Sequence, residues 1–228
     1  MHCAMEAAAD YFFFGMTFPN VALLIVGAST LVIVRFLYII YRGRKPLSSK
    51  PKGHLSTLIV LGSGTLQDLL DGFKPRYYIA AATDNMSLQK ARALENSIRN
   101  ETEIESMGST HFMQIYRSRE VGQSYITSVA TTLIALTHAL WLMIKIRPQV
   151  ILCNGPGTCI PLCVIAFLFK VFGIRWSSIF YVESIARVKR LSLSGLILYK
   201  LRIADQLFVQ WPQLKSKYPR ANYVGRLM

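Results

Sequence analysis

Residues 148–161 constrain the fold of this chain more than any other part of its sequence. Residues 150–152 form a short apolar run of the kind found in strands that are buried on both faces. Residues 154–157 then turn the chain sharply, and Pro161 follows at a position that suits the first turn of a helix. The pattern predicts a strand, a glycine-rich turn and a helix whose N-terminus can face a phosphate. A plain tight turn is the alternative, because Pro156 lacks a backbone N–H.

Apolar runs and helical patterns alternate along the rest of the chain. Strands are predicted at 57–61, 76–82, 111–116, 149–153, 178–182 and 206–210, and helices at 66–73, 87–100, 124–146, 161–172 and 191–204. Such alternation indicates α/β architecture with a Rossmann-like parallel sheet. Ligands bind at the carboxyl ends of the strands in such a sheet, so the loops that follow the first, third, fourth and fifth strands are expected to meet in one crevice.

Residues 21–40 are a run of 20 with a single charged residue, Arg35. About 20 helical residues span the ~30 Å hydrocarbon core of a bilayer. Five basic residues follow between positions 42 and 52, which a buried helix of a soluble protein would not explain. The sequence therefore predicts a lumenal N-terminus and transmembrane anchor at 1–41, a basic juxtamembrane linker at 42–54 and a cytosolic domain at 55–228.

Charge and cysteine content narrow the class of partner. The chain is 52% hydrophobic yet carries a formal net charge of +14, which favours a membrane surface. Nucleic acid is not expected, because zinc-finger spacing and aromatic RNA-binding signatures are missing from the sequence. The cysteines are Cys3, Cys153, Cys159 and Cys163. They form no Cys-x-x-Cys pair, so we expect free thiols and no metal.

The apolar helix predicted at 124–146 is long enough for a second membrane span. Crossing would place the following strands on the other side of the bilayer and break the sheet. A core helix with one face in the headgroup region is therefore the preferred interpretation.

Several enzyme classes do not match the predicted loops. Gly62 and Gly64 begin like a dinucleotide fingerprint, but Gln67 stands where its third glycine would be. No Gly-x-Ser-x-Gly elbow occurs, and Asp68 with Asp71 does not form the Asp-x-Asp of metal-dependent sugar transfer. We therefore expect no cofactor, and a nicotinamide-dependent membrane reductase stays only as a weak alternative.

Polar residues interrupt apolar surroundings after the third and fifth predicted strands. They are Arg117, Arg119 and Glu120 in the first loop, and Glu183, Ser184 and Arg187 in the second. Two arginines can grip a diphosphate, and a glutamate in an apolar rim can act as a base or bind a sugar hydroxyl. Ion pairs on solvated loops are the alternative for both groups.

Four motifs occur in order: Arg117-Ser118-Arg119-Glu120-Val121-Gly122-Gln123-Ser124-Tyr125, Cys153-Asn154-Gly155-Pro156-Gly157-Thr158, Tyr181-Val182-Glu183-Ser184 and Val209-Gln210-Trp211-Pro212. From about residue 54 to its end, the chain resembles the membrane-anchoring subunit of the two-part UDP-N-acetylglucosamine transferase of asparagine-linked glycosylation. The resemblance implies the acceptor-side, N-terminal half of a metal-independent GT-B glycosyltransferase. It also implies a soluble catalytic partner that binds UDP-GlcNAc, and addition of the second GlcNAc, β1,4-linked, to dolichyl-diphosphate-GlcNAc at the cytosolic face of the endoplasmic reticulum membrane. The preceding enzyme of the pathway is a further implied partner.

The positions of the loops and the resemblance together predict roles for individual residues. The catalytic group is Glu183; the acceptor or diphosphate contacts are Gly62, Ser63, Gly64, Arg117, Arg119, Glu120, Asn154, Gly155, Gly157, Thr158, Ser184 and Arg187; and the partner-docking residues are Tyr223, Val224, Leu227 and Met228. One departure concerns the first loop, where the family has Gly-Ser-Gly-Gly-His-Thr and this chain reads Gly62-Ser63-Gly64-Thr65-Leu66-Gln67. Because the family's histidine is missing, a catalytically defective scaffold that retains partner docking is the alternative function.

Overall fold

The computed structural model describes residues 2–41, 56–60, 75–82, 84–101, 110–116, 125–155, 157–223 and 225. Side chains are described within these ranges except at 2–19, 85, 98–101 and 125–128. The chain divides into two compact units, Met1–Arg42 and Gly43–Met228. Each unit is described by itself.

The first unit is a single helix, α1, at His2–Tyr41. Its segment Asn20–Tyr41 has a mean hydropathy of 2.4 and is long enough to cross a membrane. The hydroxyls of Ser29 and Thr30 donate to the carbonyl oxygens of Ile25 and Val26, at 2.7 and 2.8 Å, so these polar groups are satisfied within the helix itself. The apolar helix predicted at 21–40 is confirmed, and it suggests a single membrane anchor. The helix extends further towards the N-terminus than predicted.

The second unit is built on one parallel sheet of seven described strands. These are β1 (Thr57–Val60), β2 (Arg76–Ala81), β3 (Thr110–Ile115), β4 (Val150–Asn154), β5 (Ser178–Val182), β6 (Gln206–Val209) and β7 (Asn222–Tyr223). The strand order is β3-β2-β1-β4-β5-β6-β7, and every neighbouring pair is parallel. The predicted Rossmann-like α/β fold is thus confirmed, and the six predicted strands are all present within one residue at either end.

Five helices of this unit are described. They are α2 (Asn85–Glu101), α3 (Tyr125–Ile146), α4 (Cys159–Phe172), α5 (Leu193–Lys200) and α6 (Pro212–Lys217). Helix α5 is shorter than the predicted 191–204, because Ser192 caps its start and the chain leaves the helix at Leu201, before Arg202 adopts a φ of 54°. Helix α6 and strand β7 were not predicted, and the helix predicted at 66–73 lies outside the described residues.

The core follows from the alternation of side chains along the parallel strands. Val150 and Leu152 of β4 pack with Phe180 and Val182 of β5 on one face of the sheet. The intervening residues, including Cys153 and Tyr181, are buried as well. The central strands are therefore covered on both faces, as their continuous apolar runs predict.

Candidate functional site at the carboxyl edge of the sheet

The strand order of the sheet reverses between β1 and β4, which is the topological switch point. These two strands are neighbours, with Val60 opposite Cys153, while the chain continues from β1 to β2 on one side and from β4 to β5 on the other. In open parallel sheets the ligand crevice lies at the carboxyl ends of the strands at this switch point. The loop after β4 is therefore one rim of the expected crevice, and the loop after β1 lies outside the described residues.

The turn after β4 lies directly against the loop after β5. Gly155 has a φ of 69°, which a residue with a side chain adopts only with strain. A Cβ at Gly155 would lie 3.3 Å from the Cβ of Ser184, and one at Gly157 would lie 3.9 Å from the Oγ of Ser194. The two loops thus meet, as the sequence predicts for Gly155 and Ser184.

Helix α4 begins immediately after this turn, with Thr158 as its N-cap residue. The side chain of Thr158 makes no capping hydrogen bond, although the residue is only 2% exposed. Among the described residues its Oγ1 has no hydrogen-bond partner. The first N–H groups of a helix also lack intrahelical partners and carry a partial positive charge. In α4 the N–H of Ile160 already donates to the carbonyl of Gly157, and Pro161 has no N–H. The start of α4 therefore offers an anion mainly the Thr158 hydroxyl and the partial positive charge of the helix end.

Glu183 follows β5 and is fully buried, at 0% exposure. Its Oε1 accepts a hydrogen bond from the backbone N–H of Ser184 at 3.1 Å. Its Oε2 accepts from the backbone N–H of Ser192 at 2.9 Å and from the Ser192 hydroxyl at 3.0 Å. Burial raises the pKa of Glu183, while the hydrogen bonds from Ser192 and Ser184 and the charge of Arg187 oppose that rise in part.

Ser192 connects this carboxylate to helix α5. It is the N-cap residue of α5, and its Oγ accepts from the backbone N–H of Gly195 at 3.0 Å. The hydroxyl of Tyr181 lies 3.0 Å from the same Oγ. A Cβ on Gly195 would overlap Oε2 of Glu183, so only glycine fits there without a shift. Burial and the charge of Glu183 both raise the pKa of Tyr181.

The segment after β6 supports the loop after β5 from the other side. The backbone N–H of Glu183 donates to the carbonyl of Phe208 at 2.9 Å, and Nε2 of Gln210 donates to the carbonyl of Glu183 at 3.0 Å. Nε1 of Trp211 donates to the carbonyl of Ile185 at 2.7 Å. Gln210 and Trp211 therefore hold the shape of this loop.

The structure brings part of the predicted site together. Asn154, Gly155, Gly157, Thr158, Glu183 and Ser184 lie in adjacent loops at the carboxyl ends of β4 and β5. Arg187 belongs to the same loop as Glu183 and is exposed. Tyr223 lies in β7 at the edge of the sheet and is 49% exposed. Outside the described residues are Gly62, Ser63, Gly64, Arg117, Arg119, Glu120, Val224, Leu227 and Met228.

Sequence reasoning did not single out Ser192 and Gly195. The contact between Ser192 and Glu183 joins residues nine positions apart and depends on how α5 packs. One local signal was available, because a serine just before an apolar helical segment is a typical N-cap. The predicted catalytic role of Glu183 stays a prediction.

Three cysteines also come together beside the turn. The sulfur atoms of Cys153, Cys159 and Cys163 all lie within 4.8 Å of one another, and those of Cys153 and Cys163 are 3.5 Å apart. All three residues are buried and free of disulfides. Among the described residues no fourth Cys, His or acidic ligand joins this group. Since structural zinc sites use four ligands, we interpret the three thiols as packed core groups.

Helix α3 presents an apolar surface that the sheet does not cover. Its exposed apolar residues are Val129, Leu133, Ile134, Leu140, Trp141 and Ile144. The opposite stripe, which includes Ala135, Ala139 and Leu142, is buried, and the helix packs against α4. The segment Val129–Ile146 is apolar enough for a membrane span by composition. However, α3 connects β3 to β4 of one sheet, so it is a crossover helix of this unit.

Comparison with known proteins agrees with the resemblance. The human "UDP-N-acetylglucosamine transferase subunit ALG14" is 39% identical over 215 residues, which cover 89% of this chain and 95% of the human protein. The rat protein of the same name is 41% identical over 210 residues, covering 89% and 94%. The Candida albicans protein of that name is 41% identical over 210 residues, covering 87% and 91%.

A solved structure and a family model also match. The crystal structure of MurG from Acinetobacter baumannii matches this chain with a TM-score of 0.47 and 15% sequence identity, and the match covers 76% of this chain and 44% of the MurG chain. The family model described as "Oligosaccharide biosynthesis protein Alg14 like" matches residues 53–227. The chain therefore belongs to the Alg14-like family of oligosaccharide biosynthesis proteins.

Proposed function

We propose that this chain is the membrane-anchoring, acceptor-binding subunit of a UDP-N-acetylglucosamine transferase. Its acceptor is dolichyl-diphosphate-GlcNAc, and a soluble partner that binds UDP-GlcNAc completes the active site for β1,4 transfer of the second GlcNAc. The transferase part of the proposal is supported by the names of relatives that are 39–41% identical over nearly nine-tenths of the chain. The location, the endoplasmic reticulum membrane with the sheet unit on the cytosolic face, follows from the same proposal.

The observation that carries acceptor binding is the start of α4 at the switch point of the sheet. Thr158 is buried there with a hydroxyl that has no partner among the described residues, and the helix N-terminus adds partial positive charge. Gly157 is exposed and has no side chain, so the backbone of the turn is open to a ligand at this residue. A diphosphate supplies the acceptor oxygens and the negative charge that these groups require.

The apolar surfaces suit a lipid-linked acceptor. Segment Asn20–Tyr41 provides one apolar helix, and the exposed face of α3 adds a second apolar surface. Nζ of Lys145 lies 4.8 Å from the ring of Trp141, an exposed residue on that face. An aromatic ring beside a basic group is typical of side chains that sit among lipid headgroups.

A soluble partner is proposed because relatives of this chain are named as subunits of a transferase, and the described residues of the second unit form one sheet domain. A transferase that uses two substrates on two such domains needs a second one. Strand β7 is the edge strand of the described sheet, and exposed edges readily accept further contacts. We assign docking to Tyr223 and to the C-terminal residues Val224, Leu227 and Met228.

The proposal is tested with the substitution Thr158→Val, which removes the hydroxyl and preserves the shape of the side chain. In the full-length chain reconstituted with its soluble partner, we expect the KM for a diphosphate-linked GlcNAc acceptor to rise about tenfold, the size of one lost hydrogen bond to a charged group. The KM for UDP-GlcNAc and co-purification of the partner should not change. Ser216→Ala, at an exposed serine of α6, is the matched control.

An unchanged acceptor KM in Thr158→Val would contradict the diphosphate site. A wild-type complex that recruits the partner but transfers no GlcNAc would instead support the catalytically defective scaffold.

A further inference from the structure

We infer that Glu183 is a positioning residue, whose buried carboxylate fastens residues 184–191 to the N-terminus of α5 and thereby sets Ser184 and Arg187 beside the turn after β4. This inference rests on the proposed acceptor site. It goes beyond that site by giving Ser192 and Gly195 a function and by removing Glu183 from direct contact with the substrate.

The first step concerns the two oxygens of the carboxylate. Each accepts a backbone N–H, Oε1 from Ser184 and Oε2 from Ser192. An amide in the same place would direct its NH₂ group at one of these two donors. The site is therefore specific for a carboxyl group and rejects its closest neutral analogue.

The second step concerns the hydroxyl of Ser192, which has one proton and two acceptor lone pairs. The N–H of Gly195 uses one lone pair, and the hydroxyl of Tyr181 can donate to the other. The proton of Ser192 is then directed at Oε2 of Glu183. These hydrogen bonds and the dipole of α5 favour the ionised carboxylate, and they offset in part the burial that raises the pKa of Glu183.

The third step concerns the access of a ligand to the Glu183 carboxylate. Glu183 is fully buried, and Oε2 lies against the backbone of Gly195 so closely that a Cβ does not fit. A sugar hydroxyl reaches this carboxylate only if Ser192 and α5 move away. By contrast, Ser184 is in contact with the turn after β4, and Arg187 is exposed in the same loop. The groups that face the site are thus the ones that Glu183 holds in place.

The test uses the full-length chain in complex with its soluble partner and compares Ser192→Ala, Ser192→Thr and Glu183→Gln. We expect Ser192→Ala to raise the KM for the diphosphate-linked acceptor about tenfold while kcat stays within about threefold. Ser192→Thr retains the hydroxyl and should recover most of the wild-type KM. The acid limb of the pH profile of kcat should be the same in Glu183→Gln as in wild type.

A catalytic base predicts the opposite pattern. The inference is overturned if Ser192→Ala leaves the acceptor KM unchanged, or if Glu183→Gln abolishes the acid limb and lowers kcat at an unchanged KM. Should Ser192→Ala fail to fold, Ser192→Gly takes its place, because glycine is a tolerated N-cap and also removes the hydroxyl. Thr158→Val reports separately on the diphosphate site. If the acceptor KM is unchanged in Thr158→Val but raised in Ser192→Ala, the proposed diphosphate site is overturned and the positioning role of Glu183 stands.

Discussion

Two glutamates lie on opposite edges of the same sheet, and their surroundings differ. Glu95 of α2 is half-buried, and its Oε1 lies 2.6 Å from Nη1 of Arg76 and accepts a hydrogen bond from the Tyr78 hydroxyl, also at 2.6 Å. Arg76 is the first residue of β2, so this group lies at the amino edge. Glu183 lies at the carboxyl edge, and the three hydrogen bonds that its carboxylate accepts come from neutral donors, two backbone N–H groups and one hydroxyl.

The two sets of surroundings indicate different roles, stability for the group at the amino edge and ligand binding for the group at the carboxyl edge. The pair of Arg76 and Glu95 joins a helix to a strand, and a second ion pair, Lys170 with Asp205 at 2.7 Å, also lies at the amino edge. Both link elements whose relative position the fold requires. The hydrogen bonds of Glu183 instead determine the shape of a loop at the edge where ligands bind. The comparison therefore predicts that damage at the two edges has different consequences for activity.

The largest expected effect follows from breaking the amino-edge pair with Arg76→Met. Removing one partner leaves the Glu95 charge without its counter-ion in a largely enclosed place, which costs about 3 kcal/mol of unfolding free energy. The acceptor KM of the folded complex should stay at the wild-type value. Denaturant unfolding of the detergent-solubilised complex, with steady-state kinetics, checks both statements, and a raised acceptor KM would erase the proposed distinction between the edges.

A smaller loss of stability is expected from Gly195→Ala at the carboxyl edge. The added Cβ overlaps Oε2 of Glu183 and lies 3.2 Å from Cε1 of Tyr181, so the hydrogen-bonded carboxylate, the loop or α5 must shift, at a cost of about 2 kcal/mol. Unlike Arg76→Met, this variant should also raise the acceptor KM. Gly157→Ala is the matched control for stability, because its Cβ meets only an ordinary contact at 3.9 Å. Equal stabilities of the two alanine variants would contradict the tight fit at Gly195.

The smallest effect concerns the pH dependence of stability. Burial raises the pKa of Glu183, so the folded protein binds this carboxyl proton more tightly than the unfolded chain does. Stabilisation from the group is complete below the unfolded pKa and is lost as the pH rises through the folded pKa. The stability advantage of wild type over Glu183→Gln should therefore shrink as the pH rises above about 4.5. Thermal unfolding of both proteins at a series of pH values measures this difference in stability. An advantage of wild type that grows with pH would show that the pKa of Glu183 is lowered by folding.

Much of the fold was predictable because its signals are local. The apolar runs of β1, β4 and β5 and the turn at residues 154–157 are readable within a few positions of sequence. Strand β7 and helix α6 were missed, since each is short and contains few apolar residues. The site was predictable only in part: the meeting of Gly155 with Ser184 follows from parallel neighbouring strands, whereas the contact of Glu183 with Ser192 does not.

The amino-acid sequence by itself determined the apolar N-terminal helix, the alternation of strands and helices, and the set of loops that carry polar residues. These features depend on hydrophobic periodicity and turn chemistry, which act over short stretches of chain. Only the tertiary structure decided that Glu183 is enclosed beneath α5, that Gly195 leaves room for its carboxylate, and that three cysteines meet beside the turn. Burial of a side chain is set by the packing of segments that are distant in sequence, and a local pattern carries no record of that packing.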